Sequence, residues 1–444
     1  MGESSEPDVE RVLLVSKTHL DVGFTDTAAG VRRRYLDDFF PRAIATAAEL
    51  RAAGGRARLR WTTGSWILTE ALEAADRTGR RRIEDAVARG ELCWHAMPFT
   101  LHTEFADRSL IEHGLSLSAQ LDRRFGQRTL AAKMTDVPGH TRALVPLLVD
   151  AGVELLHIGV NPVAATPEVP LQFVWRDDAA EVDIAVMYQP GGYGDVQVVP
   201  GTGVAVAVDM TGDNLGPRSA TEVAATFESL SARFPGAEVV AATLDDVATV
   251  MSSVRSTLPV ITAEVGDSWI HGVGSDPTKV AGFRALARQR DGWLRDGVLP
   301  ADDPGLWRAS TRLLLVAEHT WGLDQKTHWP ETGCWGAAEL ATARSDDTAR
   351  SDDTARSDDT ARSDDTARRD DATRRFEASW AEQRDLLTEY VEALASAGHE
   401  LLSGDAAREL AAVSASPVRT PSDALVATRA RGDGRARRVA PGGR

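Results

Sequence analysis

Lysine is scarce in this 444-residue chain: Lys17, Lys133, Lys279 and Lys326 stand against 46 arginines, the pattern of a GC-rich coding bias. Each of the four lies beside one of the motifs described below. Cysteine is scarcer still. Cys93 and Cys334 cannot supply a disulfide framework or a four-cysteine zinc site. Positive charge is in deficit, with 50 basic against 66 acidic residues and a formal net charge of −16. Such a chain repels phosphate backbones, which argues against sequence-independent nucleic-acid binding. No apolar run approaches the ~18 residues of a membrane helix. The opening segment MGESSEPDVERVLLVSK is acidic, and only VLLV precedes Ser16. It does not read as a secretory signal, so the expected address is the cytoplasm.

What is present is ordinary for a globular protein: 43% hydrophobic and 26% charged residues, at a length that asks for two or three domains. Short β-rich runs alternate with amphipathic segments in the first half. VLLV (12–15), RLRW (58–61), ELCWHA (91–96), LAAKM (130–134) and ELLHIG (154–159) predict strands. Helices are expected near 31–53, 68–89 and 108–125, and over TRALVPLLVDAG. Further strands are expected at DIAVMY, VAVAVD, EVVAAT and PVITAE, with helices near 219–234 and 243–256. Strand–helix alternation points to a parallel sheet or barrel over 11–265, with residues 1–10 disordered. Beyond about residue 275 the apolar spacing turns helical and predicts a helical domain over 266–415. Residues 345–368 are four copies of SDDTAR, followed by RDDATR to 374. A six-residue period rotates its alanines around a helix and builds no apolar stripe. This block and the arginine-rich tail 416–444 are expected to add no core.

Five motifs carry chemistry. In SKTHLDVGFTD, His19 and Asp21 are two apart, so extended backbone projects both side chains to one side. KMTDVPGHT places Asp136 at a strand end before a Pro-Gly turn, with His140 as a turn residue. EHTWGLDQKTHW offers His319, read as the end of a long apolar helix, with Glu318 beside it and His328 as substitute. His19, Asp21, Asp136 and His319 form a mixed nitrogen–oxygen set suited to zinc or a related divalent ion. Each also has a plainer reading as a turn, capping or core residue. TGDNLGP holds Asp213 in a turn where it could serve as a general acid or bond its own backbone. EVGDSWIHGVGSDPTK brings Asp267, Trp269 and His271 to the junction of the two expected domains. Six of the eleven tryptophans (Trp61, Trp66, Trp94, Trp269, Trp321, Trp329) sit at strand ends or near His-rich turns. They read either as core or as the aromatic wall of a sugar cleft.

HLD after the first strand, a D-x-P-G-H turn, a G-D-x-x-G-P loop and a later His occur here in one order. This set resembles glycoside hydrolase family 38, the metal-dependent retaining α-mannosidases, and more closely a bacterial branch of that superfamily. The resemblance covers about residues 11–340 and the helix after the repeat. It implies a seven-stranded α/β barrel followed by a helical bundle. It implies a divalent metal, zinc by preference, on His19, Asp21, Asp136 and His319. Asp136 would be nucleophile, Asp213 acid/base, and Phe24, Trp66, Trp269, His271 and Trp321 substrate contacts. The chain departs from the family at Phe24, where Trp is usual, at Thr320, where Asp is usual, and at Val137-Pro138. The family's β-rich C-terminal domains have no counterpart here.

The expected function is therefore a retaining glycosidase acting on an oligosaccharide or glycoside. Two alternatives stay open: a metal-dependent carbohydrate deacetylase or lyase, and a truncated non-catalytic carbohydrate-binding homologue. Sugar, linkage and oligomeric state are not legible.

Overall fold

The computed structural model describes residues 9–328 and 364–415, together with residues 338, 341 and 342. The expectations for residues 1–8, most of the SDDTAR block and the tail from 416 fall outside the described residues.

Among the described residues, eleven strands form two sheets. The first sheet centres on β1 (Arg11–Thr18), with β2 (Trp61–Gly64) beside it and β3 (Leu92–His95) beyond β2. The second holds β4 (Ala131–Asp136), β5 (Leu155–Val160), β6 (Gln172–Asp177) and β7 (Val182–Gln189). The chain then returns to the first sheet through β8 (Val196–Val199), β9 (Val204–Thr211) and β10 (Glu238–Ala241). It ends with β11 (Val260–Ile261) on the edge of the second. β1 runs parallel to β9 over its whole length, while its other edge is shared by β10 along Arg11–Leu14 and β2 along Ser16–Lys17. β4, β5 and β7 are parallel, and β6 returns antiparallel beside β7.

The expected seven-stranded barrel is corrected here: among the described residues no sheet closes. At one seam the Ala96 N–H donates to the Ala131 carbonyl at 2.9 Å. At the other, the Gln172 side chain bonds Gln197 and the Val198 carbonyl. Single bonds tie the edges where a barrel would need ladders. The fold is a mixed α/β arrangement of two mainly parallel sheets with a helical C-terminal region.

Helices form where the capping residues stand. The helix Arg108–Phe125 starts at Asp107, whose carboxylate accepts the Leu110 N–H, and stops at Gly126 with φ 66°. Its apolar face carries Leu110, Ile111, Leu117 and Leu121 into the core. The helix Pro277–Arg295 opens on Asp276 with Pro277 in its first turn, and the helix Pro304–Leu315 opens likewise on Asp303. These two pack with the long helix Asp364–Ser396 and the last helix Glu400–Ala415. One apolar core runs from strand residues such as Leu14 and Met134 to Phe283, Leu313 and Tyr390 of the helices. No described helix is long and apolar enough to cross a membrane.

Candidate metal centre and active site

His19 and Asp21 follow β1 directly, and Asp136 ends β4, so all three occupy the carboxyl ends of parallel strands. Two loops are latched together there. The His19 N–H donates to the Thr211 carbonyl at 3.1 Å, and the Asn214 N–H donates to the His19 carbonyl at 3.0 Å. The Asn214 side chain accepts the Asp21 N–H at 3.1 Å and donates to the carbonyls of Asp21 and Gly23 and to Thr25 Oγ1. Asn214 has φ 53°, a left-handed conformation that Asn tolerates better than most residues. Asp136 has φ 77°, which costs a non-glycine residue about 1–3 kcal/mol. Gly139 of the same turn lies against the Val265 carbonyl, 1.8 Å from where a Cβ would stand.

His319 is not on a helix as expected. The helix ends at Leu315, and the chain turns so that the His319 N–H meets the Thr100 carbonyl at 3.2 Å. That turn carries the imidazole to the strand ends. The structure thus brings His19, Asp21, Asp136 and His319 together, with one ligand atom from each within 4.8 Å of the others. Asp21 Oδ1 lies 3.0 Å from His19 Nε2 and 3.1 Å from His319 Nε2, and Asp136 Oδ2 lies 3.4 Å from His319 Nε2. A tetrahedral zinc with bonds of ~2.0–2.1 Å separates its donors by about 3.3 Å.

The residues fit a divalent cation. His19 Nε2, His319 Nε2 and Asp21 Oδ2 are buried without a hydrogen-bond partner. The other ring nitrogens are fixed from behind: His319 Nδ1–H donates to Glu318 Oε1 at 2.6 Å, and His19 Nδ1 bonds Thr135 Oγ1 at 2.8 Å. Such backing sets the tautomer and aims the free nitrogen inward. Burial alone would raise Asp21, but the His19 and His319 imidazoles hold it well below the usual carboxylate range. Burial alone would lower His319, and Glu318, Asp136 and Asp21 outweigh it, raising the imidazole well above its ordinary value.

Asp213 joins this cluster through Tyr193. The Tyr193 hydroxyl contacts Asp136 Oδ1 at 2.7 Å and Asp213 Oδ1 at 3.2 Å, so the facing oxygens stand less than about 6 Å apart. Asn161 Nδ2 donates to the same Asp136 oxygen at 2.8 Å. Asp136 is pulled down to about 2: burial would raise it, and His319, His19 and Tyr193 prevail. Asp213 moves the other way, raised by burial and by the charge of Asp21.

The remaining expected contacts are placed as follows. Phe24, with φ 63°, hydrogen-bonds through its backbone to Gly322 and Asp324 beside the His319 turn. The Trp321 ring lies 3.9 Å from Lys279 Nζ and 5.9 Å from the Phe105 ring, in a cleft shared with Trp380 and Gln383. Trp269 is half-buried, its N–H on Asp267 Oδ1. The His271 side chain lies outside what is described. Trp66 is a core residue, 2% exposed and edge-on to Phe99 at 5.5 Å, which corrects its reading as a sugar contact. His328 is not in the cluster. His140 is buried with Nδ1 on Thr103 Oγ1, and Asp267 accepts from His102 Nδ1 at 2.7 Å. Sequence reasoning missed Tyr193, Thr135, Asn161 and His102. For Tyr193 the available signals were the rarity of tyrosine and its place in the glycine run GGYGD.

A family model described as a domain of unknown function (DUF5054) matches residues 273–425. No curated protein matches the chain. Among solved structures, an α-mannosidase from Enterococcus faecalis V583 superposes with TM-score 0.52 at 13% identity, covering 86% of this chain and 43% of that one. A glycosyl hydrolase family 38 protein from Enterococcus faecalis gives 0.49 at 12% identity, covering 86% and 41%. A GH57 branching enzyme from Thermococcus kodakaraensis gives 0.45 at 10% identity, covering 90% and 94%. The likeness is one of fold: the chain has a glycoside-hydrolase-like fold. It spans less than half the length of the two Enterococcus structures.

Proposed function

We propose that the chain is a metal-dependent retaining glycoside hydrolase of the α-mannosidase type, acting on an oligosaccharide or glycoside. One observation carries this reading. Two carboxylates share the Tyr193 hydroxyl at the edge of a two-His, two-Asp cluster, and their surroundings push them in opposite directions. Carboxylates driven apart in this way divide into a nucleophile and an acid. Asp136 stays ionised and attacks the anomeric carbon. Asp213, which binds its proton more tightly, gives it to the leaving oxygen and later takes one from water. Their approach through one hydroxyl supports retention, for which carboxyls stand about 5–5.5 Å apart, over inversion, which needs about 6.5–9.5 Å.

His19, Asp21, Asp136 and His319 would hold the ion, with zinc favoured by the donor set. When bound, it supplies Lewis-acid polarisation and a template for sugar hydroxyls. Tyr193 and Asn161 hold Asp136 in place, and the Asn214 side chain fixes the Asp213 loop to the Asp21 loop.

The test joins metal analysis of the purified protein to a screen of aryl α- and β-glycosides and trapping with a fluorosugar. Expected are one divalent ion per chain, cleavage of an α-glycoside and a glycosyl adduct on Asp136. Metal-loaded protein that cleaves glycosides without forming an adduct would refute retention; loaded protein with no turnover would refute the enzyme.

A further inference from the structure

The long helix Asp364–Ser396 reaches both of the segments that follow Asp21 and His319. One of its turns holds the segment after Asp21. Glu382 accepts the Ala28 and Ala29 N–H groups at 2.6 and 2.7 Å, and Gln383 Nε2 donates to the Val22 carbonyl at 3.1 Å. The turn before it holds the segment after His319. Ser379 Oγ accepts the Leu323 N–H at 3.3 Å while donating to the Phe376 carbonyl at 2.8 Å. The two segments also bond each other. The Phe24 N–H donates to the Gly322 carbonyl at 3.1 Å, and the Asp324 N–H to the Phe24 carbonyl at 2.8 Å.

Gln383 is the link between these ties. It is 5% exposed, and its partner Val22 directly follows Asp21. A carbonyl only accepts, so the amide must present its nitrogen to Val22 and turn its oxygen the other way. That oxygen accepts from Lys279 Nζ at 3.2 Å. Lys279 is buried as well, and its Nζ lies 3.9 Å from the centre of the Trp321 ring. Trp321 stands two residues past His319. Three contacts, Val22 to Gln383 to Lys279 to Trp321, therefore join one donor segment to the other. Their ends flank Asp21 and His319, whose Oδ1 and Nε2 face each other at 3.1 Å. The packing between the ends leaves little slack. A Cβ on Gly23 would stand 3.2 Å from Thr320 Cγ2 and 3.6 Å from Gln383 Nε2.

We propose that Gln383 is a positioning residue for the metal centre, setting the spacing of Asp21 and His319 through Val22 on one side and Lys279 on the other. It acts through these neighbours and is not itself a ligand. The proposal rests on the reading of His19, Asp21, Asp136 and His319 as a metal site. Donors held in place beforehand bind an ion more tightly, because binding then does not have to order the loops. The two ends of the amide can be tested separately. Glutamate at this position has nearly the same shape and keeps an acceptor for Lys279. It cannot donate to the Val22 carbonyl.

Competitive chelator titration of the full chain with zinc provides the test. Gln383→Glu should keep the thermal midpoint of the metal-free protein and bind zinc about 10–100-fold more weakly. Gln383→Met removes both ends of the bridge without adding charge, and should weaken zinc at least as much. Arg384→Met removes a neighbouring tie of the same helix, the 2.6 Å bond to Asp276, and should bind zinc as wild type does. Hydrogen exchange gives a reading without metal: the backbone around Val22 should exchange faster in Gln383→Glu than in wild type. Wild-type zinc affinity in either Gln383 variant overturns the proposal and leaves the metal centre standing. An equal loss in Arg384→Met also overturns it, since the helix would then act only as a support. A wild-type chain that takes up no zinc removes the metal centre, and this proposal with it.

Discussion

The Tyr193 hydroxyl donates to Asp136 Oδ1 at 2.7 Å, while the Tyr193 carbonyl is held from below by Lys133 Nζ at 2.9 Å. The residue is clamped at both ends, and burial together with Asp136 raises its phenol well above the ordinary tyrosine range. It therefore acts as a donor throughout the physiological range. A hydrogen bond to a charged group contributes about 1.5–3 kcal/mol. Tyr193→Phe is expected to lower kcat by roughly tenfold to a hundredfold on the glycoside found in the screen. Metal content should stay constant. The acidic limb of the pH profile should move up, because Asp136 loses one group that keeps it low.

Glu318 touches the candidate ion only through His319. Its carboxylate accepts from His319 Nδ1, the Thr320 N–H and the Thr320 hydroxyl. Removing such backing weakens a metal site by about 10–100-fold. Glu318→Gln should show that loss in a competitive chelator titration, with the fold retained by circular dichroism. Unchanged affinity would mean that Glu318 only caps the turn.

His113 predicts how acid acts on stability away from the site. Its Nε2 bonds Thr311 Oγ1 at 3.0 Å, and burial, with Arg290 nearby, pushes the imidazole down to about 3. The unfolded chain takes up this proton near 6.5, before the folded chain does. Stability from this group is complete above 6.5 and is lost as pH falls toward about 3. Between pH 7 and 5 the loss is about 2 kcal/mol. Urea unfolding of wild type and His113→Gln at both pH values should differ by that amount.

Trp66 separates packing from sugar binding. With 2% exposure and Phe99 at its edge, Trp66→Ala should cost about 3–5 kcal/mol in chemical denaturation. KM should not change. A raised KM at unchanged stability would restore it to the cleft.

Much of this was legible in the chain, and the rest was hidden for physical reasons. His19 and Asp21 were readable because alternation along a strand fixes which residues share a side. Asp136 was readable because a Pro-Gly turn had to follow it. His319 was placed correctly beside them but on the wrong element. The run LLLVA continues a helical pattern, yet the N–H groups of Val316, Ala317 and Glu318 tighten onto carbonyls three residues back, and Glu318 bridges to Leu101. Tertiary contact overrides periodicity there. Tyr193 sits in a loop between strands and reaches Asp136 across 57 residues, a pairing that no local pattern encodes. The strand count pointed to a closed ring, but closure depends on how the edges meet, and the seams here hold isolated bonds. Trp66 shows the limit of composition, since a ring at a strand end can face either way.

Three donors of the cluster come from strand ends, and the fourth comes from the turn that follows the helix Pro304–Leu315. The segments carrying His19 and His319 are otherwise far apart along the polypeptide. A cation there would work as a rivet between the sheets and the helical layer, and extracting it would leave two aspartates and a glutamate crowding buried imidazoles. Holding metal and holding the two layers in register would then be one and the same event.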